Sequence, residues 1–424
     1  MLRGGWSHLP TWTFPARSAV AIAGAAVLVV ETLAARLVAP FVGLTLETYT
    51  AAIGVALLGV AIGAKLGGTM ADRLGALPVA VGALAAGGTA VLLVRPLVLL
   101  LGPPLPPGPV TAALLVGLST LPAVTVLSMV APAAVKYRLH HLAESGRIVG
   151  EMSAAGTVGA LAGTVLTGYV LVVALPTWAI LAVTGGACLV LAMLGTPAVA
   201  ATRRVVAASA VAAFLAAGAL AGVHSPCEVE TVYYCASVGI DPNRPSGRIL
   251  TLNDLRHSYV DLDDPAFLEF SYIKAFAAVV DATFPAGEPV RAVHIGGGGF
   301  TMPRWLAATR PGSTSVVLEI DPGVVTLGRR RLGVDDIAGT RVITGDARVS
   351  LRKLPEDSAD LIVGDALGSL SVPWHLATRE FLSDVRRVLR PRGILLLNII
   401  DYGPKGFLAA EAKTLAQVFD DTAL

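Results

Sequence analysis

The chain has 424 residues, 54% of them hydrophobic and only 15% charged, against about 25% charged in ordinary soluble domains. That composition excludes a wholly water-soluble protein. With 32 basic and 30 acidic residues the net charge is +2, which implies no polyanionic partner, and no basic stripe marks a nucleic-acid surface.

The composition breaks near residue 223, with long apolar stretches before it and charges and alternating patterns after it. Seven membrane spans are predicted, near 18–40, 48–66, 76–101, 109–133, 152–172, 175–195 and 203–222. Each is long enough to cross ~30 Å of hydrocarbon as a helix. Arg3 and Arg17 precede the first span, and Lys65 and Arg73 separate the second from the third. Lys136, Arg138 and Arg147 fall between the fourth and fifth, and Arg203 and Arg204 between the sixth and seventh. The alternation predicts a multi-pass protein of the cell membrane with a cytoplasmic N-terminus. An odd number of spans then puts residue 225 onward outside the cytoplasm. Cys227 and Cys235 are too few for a structural zinc site, and no metal is expected. A disulfide between them would suit the outer side, and reduced thiols would suit the inner.

Gly59, Gly63 and Gly67, and likewise Gly159 and Gly163, repeat every four residues, a spacing that lets helix backbones approach closely. The run Gly68-Thr-Met-Ala-Asp72-Arg73-Leu-Gly75 looks like the loop signature of major facilitator transporters. Its plainer reading is a tight turn with Asp72 as a helix cap.

Beyond the break, 247–254 and 257–263 alternate like two short strands joined by a turn. Residues 265–283 then read as an amphipathic helix, with Phe267, Phe270, Ile273, Phe276 and Ala277 on one face. From 291 strands and helices alternate. Strands are predicted at 290–295, 315–320, 341–344, 360–363 and 393–400, and helices near 302–309, 323–331, 375–389 and 409–419. This pattern predicts a parallel, doubly wound sheet. The fold class is therefore an α-helical transmembrane bundle over 1–222, a small β segment with a helix over 223–290, and an α/β Rossmann-like domain over 291–424.

Ligands on such sheets sit beyond the carboxyl ends of the strands. Gly296, Gly297, Gly298 and Gly299 follow the first strand, where glycine lets a backbone come close to a ligand. Glu319 ends the second strand, 20 residues past Gly299, where a carboxylate can accept both ribose hydroxyls. Asp346, followed by Ala347, ends the third, within reach of an adenine amino group. The alternative is that each acid caps the helix after its strand. Met302 stands where a third fingerprint glycine would be, so a dinucleotide pyrophosphate is disfavoured and a compact adenosyl thioether or sulfonium fits better.

Taken together, Val293-His-Ile-Gly-Gly-Gly-Gly, Val317-Leu-Glu-Ile-Asp321, Gly345-Asp346-Ala, Asp365 and Leu389-Arg-Pro-Arg-Gly-Ile resemble the spermidine synthase (polyamine aminopropyltransferase) family. The chain looks most like the membrane-fused branch, over roughly 245–419, and the motifs through Asp346, which resemble those of many S-adenosylmethionine methyltransferases as well, imply a Rossmann-like domain of that methyltransferase type. The resemblance implies transfer of an aminopropyl group from decarboxylated S-adenosylmethionine to a putrescine-like diamine, leaving methylthioadenosine. It implies Asp365 as the catalytic acid–base residue. It also implies Gly296, Gly297, Gly298, Glu319, Asp346 and Ala347 as the adenosyl site, and His257, Tyr272 and Asp365 as the amine site. The partners it implies are a small amine and the lipid bilayer, and a homo-oligomer is compatible with it.

The chain departs from that family at several positions. Gly299 and Gly368 stand where acids are usual, His257 replaces a Gln, and Ile273-Lys274 replaces a His-Glu pair. Asp254, Asp261, Asp263, Glu380 and Asp401 are the candidate compensating acids. The competing functions are another adenosyl transferase, such as a methyltransferase, and a catalytically degenerate binding or transport-coupled module. An adenosyl donor is made in the cytoplasm, so the donor and the charge count point to opposite sides of the membrane.

Overall fold

The computed structural model describes residues 14–195, 204, 206–209, 211–212, 225–367, 372–401 and 403–423. Its contacts divide into two compact units, Met1–Ser225 and Pro226–Leu424.

Among the described residues of the first unit, six helical segments are long and apolar enough to cross a membrane: Ala16–Val42, Leu46–Leu74, Ala76–Leu101, Pro109–Arg138, Leu142–Ala174 and Thr177–Gly195. They match the first six predicted spans, and the predicted span 203–222 lies largely outside the described residues. Helix α1 is Ala16–Val42, α2 Leu46–Leu74, α3 Ala76–Leu101, α4 Pro109–Ser128, α5 Val130–Arg138, α6 Ser145–Leu166 and α7 Thr177–Gly195. The break between α4 and α5 has a local cause. Pro132 has no N–H to offer the Ser128 carbonyl, and its ring crowds that oxygen.

The four-residue glycine spacing does bring backbones together. A Cβ on Gly67 of α2 would stand 2.6 Å from Met129 Cα, and one on Gly163 of α6 would stand 2.6 Å from the Ala25 carbonyl of α1. Asp72 does not cap a helix. It lies inside the last turn of α2 and pairs with Lys136 of α5. The chain reverses instead at Gly75, whose φ of +93° a side chain would strain.

The second unit opens with a four-stranded antiparallel sheet in the order β1-β2-β3-β4: Val229–Glu230, Cys235–Asp241, Arg244–Leu252 and Leu255–Asp261. Only β3 and β4 were expected. The turn between them carries Asn253 at φ +57°, a left-handed conformation that Asn tolerates. Cys227 and Cys235 form a disulfide with Cα atoms 4.9 Å apart.

Helix α8 spans Ser271–Thr283, so the expected helix 265–283 begins six residues late. Asp264 instead accepts the Phe267 N–H at 3.0 Å in a turn. The Phe267 ring is captured beneath the Arg244 guanidinium, 3.9 Å from its carbon to the ring centroid, and against Tyr259. Phe270 is the residue before the helix, while Ile273, Phe276 and Ala277 are buried as expected.

The main sheet has five parallel strands in the order β7-β6-β5-β8-β9. These are β5 Arg291–Ile295, β6 Thr314–Glu319, β7 Thr340–Thr344, β8 Ala359–Gly364 and β9 Leu389–Leu397. Helices α9 (Thr301–Thr309), α10 (Pro322–Arg331), α11 (Ala347–Leu351), α12 (Arg379–Val388) and α13 (Gly406–Leu415) alternate with them. Two apolar clusters pack its central strands. Val293, Ile295 and Ile362 belong to one, and Ala292, Leu361 and Val363 to the other. The central strands β5 and β8 are thus buried on both faces, as parallel sheets require.

Expected boundaries shift toward the C-terminus, where the helix expected at 409–419 runs Gly406–Leu415. Helix α12 starts at Arg379 because Thr378 caps it, accepting the Phe381 N–H at 3.3 Å, and 374–376 form a separate 3-10 turn. Strand β9 starts at Leu389 and runs through Pro391, which its place at the sheet edge permits.

The strand order reverses at β5. The chain builds β5, β6 and β7 outward on one side, then returns to place β8 and β9 on the other. In open α/β sheets the ligand crevice lies at such a switch point, beyond the carboxyl ends of the strands. That rule points to the residues following Ile295 and Gly364.

Candidate functional site

A cavity of about 240 Å³ opens at that switch point. The loop after β5 and the loop after β8 are in direct contact there. The Asp365 N–H donates to the Ile295 carbonyl at 2.9 Å. A Cβ on Gly296, at φ +96°, would come within 2.6 Å of the Asp365 carbonyl. Glycine is therefore required at 296 by backbone conformation and by close approach alike.

Seven of the nine residues expected at the site line this cavity: His257, Gly296, Gly298, Glu319, Asp346, Ala347 and Asp365. The other two, Gly297 and Tyr272, stand behind the lining and hold it. The Gly297 and Gly298 N–H groups donate to Glu319 Oε2 at 2.7 and 3.3 Å, and the Asp321 N–H donates to Oε1 at 2.9 Å. Glu319 thus orders the glycine loop while keeping oxygen lone pairs toward the cavity. Burial pushes its carboxyl above the ordinary range, against the pull of those three N–H groups.

Asp346 does cap the helix after its strand, as the alternative reading had it. One oxygen, Oδ1, accepts the Arg348 N–H at 2.7 Å. Its second oxygen faces His375 Nε2 at 3.5 Å, on the cavity wall. Capping and lining are compatible, because the two oxygens point different ways.

Asp365 is the most constrained acid. Tyr272, from the first turn of α8, donates its O–H to Oδ2 at 2.9 Å, and the Asn398 amide at the end of β9 donates to Oδ1 at 2.8 Å. Burial raises the Asp365 carboxyl above the ordinary Asp value, and the two donors oppose that rise. The same contact raises the Tyr272 phenol, first by burial and then by the neighbouring Asp365 charge. The pair therefore stays a neutral phenol donating to a carboxyl.

His257 lines the cavity from β4. Its Nδ1 is buried and has no hydrogen-bond partner among the described residues. Burial lowers its pKa, which keeps a neutral ring with one nitrogen able to meet a ligand.

None of the five candidate compensating acids lines the cavity. Asp261 is buried under Arg244, Ser246 and the N–H groups of 263 and 264. Asp401 accepts the Leu408 N–H at 2.8 Å. Asp254, Asp263 and Glu380 are exposed, and so is Lys274. At Gly299 the structure gives a reason for the missing acid. Its N–H donates to Ser258 Oγ at 3.0 Å, and a Cβ there would stand 2.6 Å from Ser258 Cβ. Gly368 lies outside the described residues.

Sequence reasoning missed Tyr233, Tyr234, His375 and Asn398. Tyr233 and Tyr234 reach the cavity from the turn between β1 and β2, and the Tyr234 O–H donates to the Leu367 carbonyl at 3.2 Å. No local motif announces them. Asn398 was findable, since the rule that strand ends face the ligand applies to β9 as to the others.

A family model described as a methyltransferase domain matches residues 293–397. The polyamine aminopropyltransferase of Vibrio vulnificus (strain CMCP6) is 38% identical over 136 residues, 32% of this chain and 45% of that protein. That of Chromobacterium violaceum is 28% identical over 141 residues, 33% of this chain and 53% of that protein. The chain spans about half the length of these curated relatives. A solved structure of a probable spermidine synthase from Corynebacterium glutamicum ATCC 13032 is similar with a TM-score of 0.43 and 26% identity, covering 45% of this chain and 70% of that one. The C-terminal unit thus carries a methyltransferase-type domain and is similar, over about a third of the chain, to polyamine aminopropyltransferases.

Proposed function

We propose that the chain is a membrane-tethered aminopropyltransferase that uses decarboxylated S-adenosylmethionine and a putrescine-like diamine. The observation carrying this reading is Asp365, a buried carboxyl at the switch point, gripped by Tyr272 and Asn398 and facing the cavity that Glu319 and Asp346 also line. Glu319 would take the ribose hydroxyls and Asp346, with Ala347, the adenine edge. The Gly296–Gly298 loop would admit the thioether, and His257 would hydrogen-bond it or the ribose.

The acceptor amine has a pKa of about 10 and attacks only when neutral. Asp365 would accept a hydrogen bond from the attacking nitrogen and take up its proton. The nitrogen attacks the carbon bound to the sulfonium. The C–S bond breaks, its electron pair stays on sulfur, and neutral methylthioadenosine leaves. Alignment of nitrogen, carbon and sulfur supplies most of the remaining catalysis.

The test is direct. The purified full-length chain in detergent, given 1,4-diaminobutane and either donor, is expected to form the aminopropyl product only with the decarboxylated one. Methyl transfer from S-adenosylmethionine would replace this reading with the methyltransferase one.

The Asp365 environment predicts the pH profile. Because burial raises its carboxyl, kcat/KM should fall on the acid side above the ordinary Asp pKa. Removing one donor in Tyr272→Phe destabilises the carboxylate and should move that limb upward by about one pH unit. A limb that stays put would remove Asp365 as the titrating base.

A second reading, a catalytically degenerate ligand-binding or transport-coupled module, has one observation in its favour. The Cys227–Cys235 disulfide and the charge count suit an oxidising side, where no adenosyl donor is made. A reporter active only outside the cytoplasm, fused at residue 230, is expected to be active. A silent fusion, with a cytoplasmic reporter active at the same point, would overturn the seven-span count and remove the support for this second reading.

A further inference from the structure

The Cys227–Cys235 disulfide has no place in the chemistry described above. It closes a short loop that runs from Cys227, the second residue of the unit beginning at Pro226, to Cys235, the first residue of β2. Within the loop lie β1 and the turn that carries Tyr233 and Tyr234 to the cavity. Strand β1 has two residues and pairs at the edge of its sheet, Val229 with Ala236 and Glu230 with Cys235. So short a strand gives little stability of its own. The turn is wound around Thr231, whose side-chain oxygen accepts the N–H groups of 233 and 234 at 3.1 and 2.8 Å. The far post of the loop is fixed. Cys235 is buried, its N–H donates to Asn253 Oδ1 at 3.0 Å, and its carbonyl accepts the Asn253 N–H at 2.8 Å. Asn253 follows Leu252, which lines the cavity. The disulfide therefore ties the start of the loop to the cavity wall.

What the loop presents is Tyr233, a residue 41% exposed that lines the cavity together with Glu319 and Asp346. Burial, and then the charges of Asp321, Asp346 and Glu319, raise its phenol pKa, which places the ring among those acids. A flat ring beside the groups that would take the ribose and the adenine edge is positioned to cover the purine. We infer that the Cys227–Cys235 disulfide is a redox-operated latch on the cavity: oxidised, it holds the Tyr233–Tyr234 wall against the adenosyl ligand, and reduced, it lets that wall leave, so that affinity follows the thiol state. This inference rests on the adenosyl reading of the cavity. The redox step needs a dithiol. One of its thiolates attacks Cys227 Sγ, the less buried sulfur, and the Cys235 sulfur leaves as a thiolate and takes up a proton. The second thiol then displaces Cys227 as a thiol. Two electrons and two protons pass to the protein, and the reagent becomes a disulfide. The loop regains the freedom that closure had removed. Apparent affinity then falls with the fraction of molecules that keep the wall in place. The third cysteine, Cys188, is a free buried thiol, so within the chain the response belongs to the 227–235 pair.

The experiment measures ligand binding separately from turnover. Oxidised full-length protein in detergent is titrated with methylthioadenosine before and after incubation with dithiothreitol. Reduction is expected to weaken binding by roughly 10-fold, the worth of one base–aromatic stack. Cys227→Ser combined with Cys235→Ser should bind as the reduced wild type does and ignore dithiothreitol. Tyr233→Ala, with its disulfide intact, should lose about as much, and reducing it should then cost no more than about 2-fold, because both changes remove the same wall. Undiminished affinity in the reduced wild type, or wild-type affinity in oxidised Tyr233→Ala, overturns the inference. Trypsin resistance over 291–397 should survive reduction. Its loss would make the disulfide a staple of the whole unit and would likewise overturn the latch. Product formed by a wild type whose affinity ignores dithiothreitol leaves the proposed function standing and ends this inference. Redox-dependent affinity without product ends the proposed function and leaves the latch.

Discussion

Asp365→Asn should lower kcat for aminopropyl transfer by about 10³-fold, within the span that general acid–base groups contribute, while methylthioadenosine affinity stays near the wild-type value. The asparagine is isosteric, so the Tyr272 O–H and the Asn398 amide keep one acceptor oxygen between them and the wall of the cavity is preserved. What is lost is the negative charge that orients the neutral amine and receives its proton. Single-turnover measurement at saturating amine separates this loss of chemistry from a loss of binding. Retention of most of the activity would show that solvent removes the proton, and Asp365 would then be a structural acid.

The second large effect is expected on the adenosyl side. Combining Glu319→Gln with Asp346→Asn should weaken methylthioadenosine binding by about 100-fold, two charged hydrogen-bond sites being worth roughly 3 kcal/mol together. The two substitutions are chosen for different reasons. Asn caps a helix as well as Asp does, so Asp346→Asn leaves the α11 N-terminus intact and its effect reports on the ligand. Glu319→Gln disturbs the glycine loop as well, because a carboxamide NH2 cannot accept the N–H groups of 297 and 298. A thermal midpoint measured on each single variant separates those contributions. Unchanged nucleoside affinity in the double variant would sink the adenosyl assignment.

How much of this was legible in advance follows the range of the interactions involved. Spans, strands and the glycine loop were readable because they are local. An apolar run of about 20 residues, or a strand ending in Gly or Asp, carries its own signal. Phe267 shows the limit. Its helical periodicity is real, yet a contact with Arg244, more than 20 residues upstream, held it outside the helix. Tyr233 and Tyr234 were invisible because their approach to the cavity depends on a hairpin that only tertiary packing places there.

The amino-acid order by itself determined the division into an apolar and a polar half, the helical character of the first, and the βα alternation of the second. It also determined which acids end the strands. These follow from hydrophobic period and turn chemistry, which act over a few residues. The tertiary structure decided the order of the strands, and with it the reversal at β5 that brings the 296 loop against Asp365. It also decided which acids meet the cavity and which are spent on Arg244 or a helix end. Such choices turn on desolvation and long-range packing, and no local run of residues encodes them.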